Sequence, residues 1–429
     1  MQAAKKISKM FVLKHGSYYW DTNMSNFCKR SSIERIFDNL QNTESLCCKM
    51  AHINQIGSKE LKKAEKALTK GRRIRECNIC WDTEKANAKS WRQLGNEFYK
   101  FYKLDIYKKI ELFFDNTCDS KCIYCNAQYS SQWLAELKTT KHTPPNFSCS
   151  NKNTNIKNNN SEKIFDYITS VGNTQPDNKI TEIVLLGGEP MLTTVNKKNL
   201  LELCITSFYK NTNHDKSLTI GLQTNCNTPT NLLQKIIKQL GDYKKTYKNL
   251  HVYISVSGES TGKNYEYVRH GSSYKQYVDN LNTWFAAGFT ISTNMSINCV
   301  SIVDTLSYFK FFIDLCKKYN TNGVYISANI VYQPDALSID VLDKRFLVYI
   351  DKCIEYMSDK HDVIANLDEV IFNLNNFKKH IGTKVDKVPL TVDALNYFTL
   401  ERGIHFKDVT PELFNYLSEK IDLKIEDKT

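Results

Sequence analysis

Proline and glycine are scarce in this chain, with 8 and 16 among 429 residues. Such low counts exclude a collagen-like repeat or a Pro/Gly-rich polymer. Long apolar runs are missing too, and no window approaches the roughly 18 apolar residues that a spanning helix needs. The N-terminus, Met1-Gln2-Ala3-Ala4-Lys5-Lys6-Ile7, is basic but leads into no apolar core with a cleavage site. No secretory signal is expected, and the cytoplasm is the expected compartment. The remainder is 41% hydrophobic and 24% charged with a mean hydropathy of -0.46, the composition of a globular protein.

Charge is weighted to one sign, 58 Lys and Arg against 46 Asp and Glu, for a net +12. An excess of this size suits nucleic acid. Here it is mostly Lys, scattered along the chain among abundant Asn, Ile and Tyr, which is the pattern of a solvated surface. Neither nucleic acid nor a membrane is the expected partner. Cysteine is plentiful, at 14. A disulfide scaffold does not suit so long a chain without an export signal, which leaves thiolates that ligate metal.

Three regions stand out. Residues 1–105 are Lys-rich and read as mainly helical, with Cys47-Cys48 and Cys77-Asn78-Ile79-Cys80. Residues 106–335 alternate short β-branched or aromatic runs with amphipathic helical patterns. The candidate strands are Ile110–Asp115, Ile183–Leu186, Leu218–Gln223, Val252–Val256, Thr290–Ile297 and Val324–Ile330. Between them lie helical patterns at Asn199–Tyr209, Leu232–Leu240, Tyr274–Ala287 and Thr305–Tyr319. This order predicts an α/β fold, a partial (β/α)6 TIM-like barrel with chemistry at the C-terminal ends of its strands. Residues 336–429 read as a helical C-terminal extension whose one cysteine is Cys353. Residues 142–163, with their Asn/Lys run, read as a low-complexity surface insertion in which Cys149 is incidental.

The first candidate strand runs into Cys118-Asp119-Ser120-Lys121-Cys122-Ile123-Tyr124-Cys125, a C-x3-C-x2-C loop. Three thiolates so spaced can hold three irons of a [4Fe–4S] cubane and leave the fourth open. Structural zinc sites, by contrast, usually take four ligands, commonly in two separated pairs. One strand later comes Gly187-Gly188-Glu189-Pro190, where two residues without Cβ allow close backbone approach and an acid can accept from an ammonium.

The two motifs in this order resemble the radical S-adenosylmethionine (SAM) superfamily. More specifically, they resemble the twitch-domain (half-SPASM) members common in phage, viral and marine bacterial genomes. Ser130-Ser131-Gln132-Trp133 is similar to a segment following the last cluster cysteine in that group, with a core aromatic as the other reading of Trp133. The resemblance implies a [4Fe–4S] cluster on Cys118, Cys122 and Cys125. SAM would bind the open iron and be cleaved reductively to a 5′-deoxyadenosyl radical that takes hydrogen from a substrate. It assigns SAM contacts to Tyr124, Gly187, Gly188, Glu189, Pro190, Asn225, Ser255 and Arg269. Asn225 stands in Gln223-Thr224-Asn225, similar to the family's Thr-Asn-Gly, with Cys226 in place of the Gly and a turn-capping role as the alternative. Relatives often have Ser-x-Asp-Gly where this chain has Ser255-Val256-Ser257-Gly258, so the acidic role is lost or passes to Glu259. Arg269, in Tyr265–Gly271, would pair with the SAM carboxylate, a geometry suited to guanidinium.

The same resemblance makes Cys47, Cys48, Cys77 and Cys80 ligands of an auxiliary Fe–S cluster or a zinc ion, with Cys28 a substitute. It implies a peptide or protein side chain as substrate, with a nucleoside or other small metabolite as the alternative, and an electron donor such as flavodoxin or ferredoxin. A function of another class also fits the composition, a zinc-stabilised basic module that binds nucleic acid.

Overall fold

The computed structural model describes residues 28–47, 50, 56, 58–85, 90–98, 107–148, 161–176, 179–212 and 214–421. Cys48, Cys149 and the 149–160 part of the expected insertion lie outside the described residues.

The frame is a sheet of eight strands: β1 (Glu34–Asp38), β2 (Thr43–Ser45), β3 (Tyr107–Phe113), β4 (Ile180–Leu186), β7 (Ser217–Thr224), β8 (Leu250–Ser257), β9 (Thr290–Ile297) and β10 (Tyr325–Ile330). Their order is β10-β9-β8-β7-β4-β3-β1-β2, with every pairing parallel except β1 with β2. A two-stranded hairpin, β5 (Thr194–Val195) and β6 (Lys198–Asn199), lies apart from it. All six expected strands form, and helices Leu200–Phe208, Thr230–Thr246, Tyr274–Ala286 and Thr305–Lys318 fall where the 3.6-residue pattern put them. This is an α/β fold with a mostly parallel sheet and flanking helices, as a partial barrel requires.

Two strands of this sheet, β1 and β2, were not expected, nor was the β5–β6 hairpin. The 28–105 stretch does contain helices Lys59–Thr69, Asn78–Lys85 and Trp91–Phe98, yet β1 adds to the barrel edge by pairing with β3. Its sequence, Glu-Arg-Ile-Phe-Asp, lacks the apolar alternation that signals a strand, but all five residues are buried. The charges are tolerated there because they are paired. Arg35 lies 3.4 Å from Glu44 and also meets Glu65, while Glu34 meets Arg30.

Alternation along the strands gives the sheet two unlike faces. Ile110, Leu112, Ile183, Leu185, Ile254 and Val256 are almost wholly buried in the main core. Each such side chain contributes about 2 kcal/mol by leaving water. The other face is only half-buried; it carries Phe113, Val184 and Leu186 on β3 and β4, and is polar at the C-terminal ends of β7, β8 and β9, where it presents Gln223, Ser255, Ser257, Asn294 and Ser296. The far edge is closed by the C-terminal extension, whose described part carries helices Leu347–Met357, Leu367–Phe377, Val388–Arg402 and Pro411–Lys420. Asn366 caps β10 by accepting from Ile326 N at 3.0 Å and donating to Ile326 O at 2.9 Å, which occupies edge groups otherwise open to another strand. Among the described residues, no helix is long and apolar enough to cross a membrane.

Candidate active site

Because β3, β4, β7 and β8 are parallel neighbours, the loops that leave their C-terminal ends meet. These four loops carry the cysteine triad, Gly187-Gly188-Glu189, Asn225 and Glu259. The cysteine loop is tied on two sides. Gly188 N donates to Asp115 O at 3.1 Å and Glu189 N to Thr117 O at 2.6 Å. On the other side Lys121 N donates to His270 O at 2.7 Å and Ile123 N to Val268 O at 2.9 Å. Ser131 Oγ accepts from Cys118 N at 3.1 Å, and Trp133, wholly buried, donates from Nε1 to Cys122 O at 2.8 Å. Trp133 is therefore both a core aromatic and a support of the loop.

Cys118, Cys122 and Cys125 are all partly exposed free thiols. Burial raises the pKa of each, Cys125 to about 12, and the charge of Cys122 adds to the rise at both neighbours. Three thiolates this close are unfavourable by themselves and call for a cationic centre to hold them. Donors are already aimed at two of the sulfurs. Asn225 Nδ2 stands 3.9 Å from Cys118 Sγ, and Arg269 Nη1 stands 4.0 Å from Cys122 Sγ. Among the described residues, no three Cys, His, Asp or Glu side chains are spaced for a single metal ion. A cubane spreads its thiolates over separate irons, so this donor set fits one.

The glycines serve the loop. Gly187 has φ +116°, and a Cβ on Gly188 would lie 2.2 Å from Thr117 O, so it is the cysteine loop's backbone that requires the missing side chain there. Glu189 is fully buried and its carboxylate is occupied by the protein. It accepts from Met191 N at 3.2 Å, Thr224 Oγ1 at 3.0 Å and Asn225 N at 2.8 Å. Burial, with the Asp119 charge adding to it, pushes its pKa up to about 8 despite these donors. Pro190 is buried too, but it leads into the β5–β6 hairpin and not directly to the next helix.

Asn225 links strand ends. Its Nδ2 donates to Asp119 Oδ1 at 2.6 Å and Ser120 Oγ at 3.0 Å, while its Oδ1 accepts from Asn227 N at 2.9 Å, an Asx turn. The turn-capping reading therefore holds alongside contact with the cysteine loop. Cys226 adopts φ +58°, the left-handed conformation that suits the glycine of relatives.

Arg269 ends helix Gly262–Val268 and is 4% exposed. Its Nη2 donates to Glu259 Oε2 at 2.6 Å, and Tyr124 O–H donates to Glu259 Oε1 at 3.1 Å. Arg269 Nε is buried with no hydrogen-bond partner. Glu259, fully buried, thus ties Arg269 to Tyr124 of the cysteine loop. Ser255 lies on the polar face of β8, partly exposed. The sequence marks Glu259 only as the alternative bearer of the acidic role after Ser-x-Ser-Gly, and Asp119 only by its adjacency to Cys118.

A second group gathers on the N-terminal side. Cys28, Cys47, Cys77 and Cys80 line one pocket with Arg30 and Arg92. Burial pushes the Cys77 thiol up to about 12, and the charges of Cys28 and Cys80 add to the rise. Cys28, the substitute ligand expected from the sequence, lines this pocket, and Cys48 lies outside the described residues.

Residues 113–301 match the radical SAM superfamily model. Residues 113–301 therefore carry a radical SAM superfamily domain. A search of curated proteins returns no match. Among solved structures the chain is similar to native anSMEcpe with bound AdoMet, at 14% identity over 60% of this chain and 63% of that one, TM-score 0.38. It is similar to Streptococcus suis SuiB bound to S-adenosylmethionine, at 14% identity over 65% and 49%, TM-score 0.34. It is also similar to SuiB bound to precursor peptide SuiA, at 13% identity over 72% and 63%, TM-score 0.33. The match spans less than two thirds of the length of each of these proteins.

Proposed function

We propose that this protein is a radical SAM enzyme with a [4Fe–4S] cluster on Cys118, Cys122 and Cys125. The observation that carries the proposal is the convergence of the cysteine loop, Gly187-Gly188, Asn225 and the Glu259–Arg269 pair at four adjacent parallel strand ends. When bound, the reduced cluster and SAM supply a 5′-deoxyadenosyl radical that abstracts hydrogen from a substrate. The protein binds, orients and shields. With the Glu189 carboxylate engaged by three donors, the carbonyls of Gly187 and Gly188 accept the methionine ammonium, and Glu189 and Pro190 hold that turn in shape. Arg269, steadied by Glu259, offers Nη1 and Nε to the methionine carboxylate. Asn225 keeps an N–H near Cys118, Tyr124 closes the site from the Glu259 side, and Ser255 receives the ribose on the polar face.

The resemblance to SPASM-type enzymes supports a peptide or protein side chain as substrate. The Gln, Ser and Asn side chains at the C-terminal ends of β7, β8 and β9 suit backbone amides. The Cys28, Cys47, Cys77 and Cys80 pocket holds an auxiliary Fe–S cluster in this reading, and the electron comes from a donor such as flavodoxin or ferredoxin.

Anaerobic reconstitution with iron and sulfide tests the proposal. The expected product is a brown protein with broad absorption near roughly 400 nm that releases 5′-deoxyadenosine from SAM under reductant. A colourless protein that retains zinc and releases no 5′-deoxyadenosine contradicts it.

A further inference from the structure

Behind the cysteine loop lies a buried charged cluster that SAM binding does not use. Glu136, on helix Ser131–Thr139, has a side chain 1% exposed. Arg402, the last residue of helix Val388–Arg402, grips it from Nε at 3.2 Å and from Nη2 at 3.1 Å. Lys121, inside the cysteine loop, pairs with the same carboxylate, and Tyr397 O–H donates to it at 3.2 Å.

Two cations thus share one anion, leaving a formal charge of one positive. His270 adds none, because burial, then Arg402 and Lys121, push its pKa down to about 4. Across the loop the Glu259–Arg269 pair sums to zero. Asp119 accepts from Asn225 and Asn227 and bears its negative charge on the Cys118 side of the loop, where it raises that thiol's pKa, and Glu401 accepts from Thr140 at a partly exposed position where water screens it.

Lys121 is partly exposed and water screens part of its charge, whereas Arg402 is buried and its Nη1 has no hydrogen-bond partner. One arginine would suffice for Glu136, so packing does not explain the second cation. The geometry says what does. The Arg402 guanidinium lies 4.7 Å over the Trp133 ring, and Trp133 bonds the Cys122 carbonyl. Lys121 is in the loop itself. The positive charge is therefore held against a segment that becomes more negative when its cluster is reduced.

We propose that Arg402, from the C-terminal extension, is a positioning residue of the cluster site. With Lys121 and Glu136 it fixes a buried positive charge behind Cys122 that favours the reduced cluster, and through Trp133 it braces the loop. The proposal rests on the [4Fe–4S] reading above. Net charge and hydrogen bonds near the cysteines set cluster potentials.

The test is a redox titration of reconstituted protein with titanium(III) citrate, one electron taking the cluster from the 2+ to the 1+ state, followed by electron paramagnetic resonance. Arg402→Gln should move the midpoint potential negative, and Glu136→Gln should move it positive. Both break the same ion pair and should lower the melting temperature, so a purely structural role would shift the two potentials alike or not at all. Arg402→Lys should return the potential toward wild type. Lys121→Gln, at the partly exposed side of the network, removes the same charge with less loss of packing and should also shift it negative. Shifts of one sign for Arg402→Gln and Glu136→Gln, or none for Lys121→Gln, overturn the inference. A wild-type protein that forms no four-iron signal overturns the reading beneath it and the inference together.

Discussion

A methyl group on Gly188 would meet the Thr117 carbonyl at 2.2 Å, backbone against backbone, with no side chain that can yield. Gly188→Ala should therefore displace the cysteine loop and lower iron per protein well below wild type, measured after anaerobic reconstitution. Full iron content would contradict the close approach. Glu189 acts through its three donors. Glu189→Ala leaves Met191 N, Thr224 Oγ1 and Asn225 N without their acceptor and should cost about 2–3 kcal/mol in urea unfolding, while Glu189→Gln should cost less. Its pH dependence has a definite sign. The folded pKa, about 8, lies above the usual carboxylate value, so the folded state holds the extra proton between them. The stability from Glu189 is full below about pH 4.3 and is lost as pH rises through 8, and Glu189→Gln should flatten that loss between pH 6 and 9. The cysteine triad was legible because three thiols in eight residues have few other uses. Asp119 was not, since a single acid among 46 has no spacing to mark it, and Glu259 was marked only by its place directly after Ser255-Val256-Ser257-Gly258.

At the scale of elements, parallel strands announce themselves. β4, β8 and β9 are β-branched runs between polar ends; β9 has the expected extent, and β4 and β8 run a few residues beyond theirs. β1 was hidden because its charges are neutralised by residues distant in sequence, which no local pattern reports. The second cysteine group shows the same limit, for Cys28 and Cys77 are brought together by packing around Trp81 and Leu61. If this pocket carries its own cluster, Cys80→Ala should take iron from roughly eight to roughly four per chain and leave the barrel cluster's signal in place. An unchanged count of about four in both proteins would show that the pocket holds no cluster.

At the scale of the molecule, four strand ends gather the motifs that lie between Cys118 and Arg269, which is why their chain order was informative. The contact of Arg402 and Tyr397 with Glu136 spans more than 260 residues and has no counterpart in any sequence pattern. The C-terminal extension, legible only as helical, thus supports the site. In the proposed function, what unites the site is an iron that the three cysteines would leave open to SAM. The direct measurement is the electron paramagnetic resonance spectrum of the reduced, reconstituted Cys80→Ala protein, which leaves the barrel cluster to be seen alone. Adding SAM should change its g-values, because methionine's amino and carboxylate groups enter the iron's coordination. A spectrum identical with and without SAM would mean that no iron is open, and the proposed chemistry would have no place to occur.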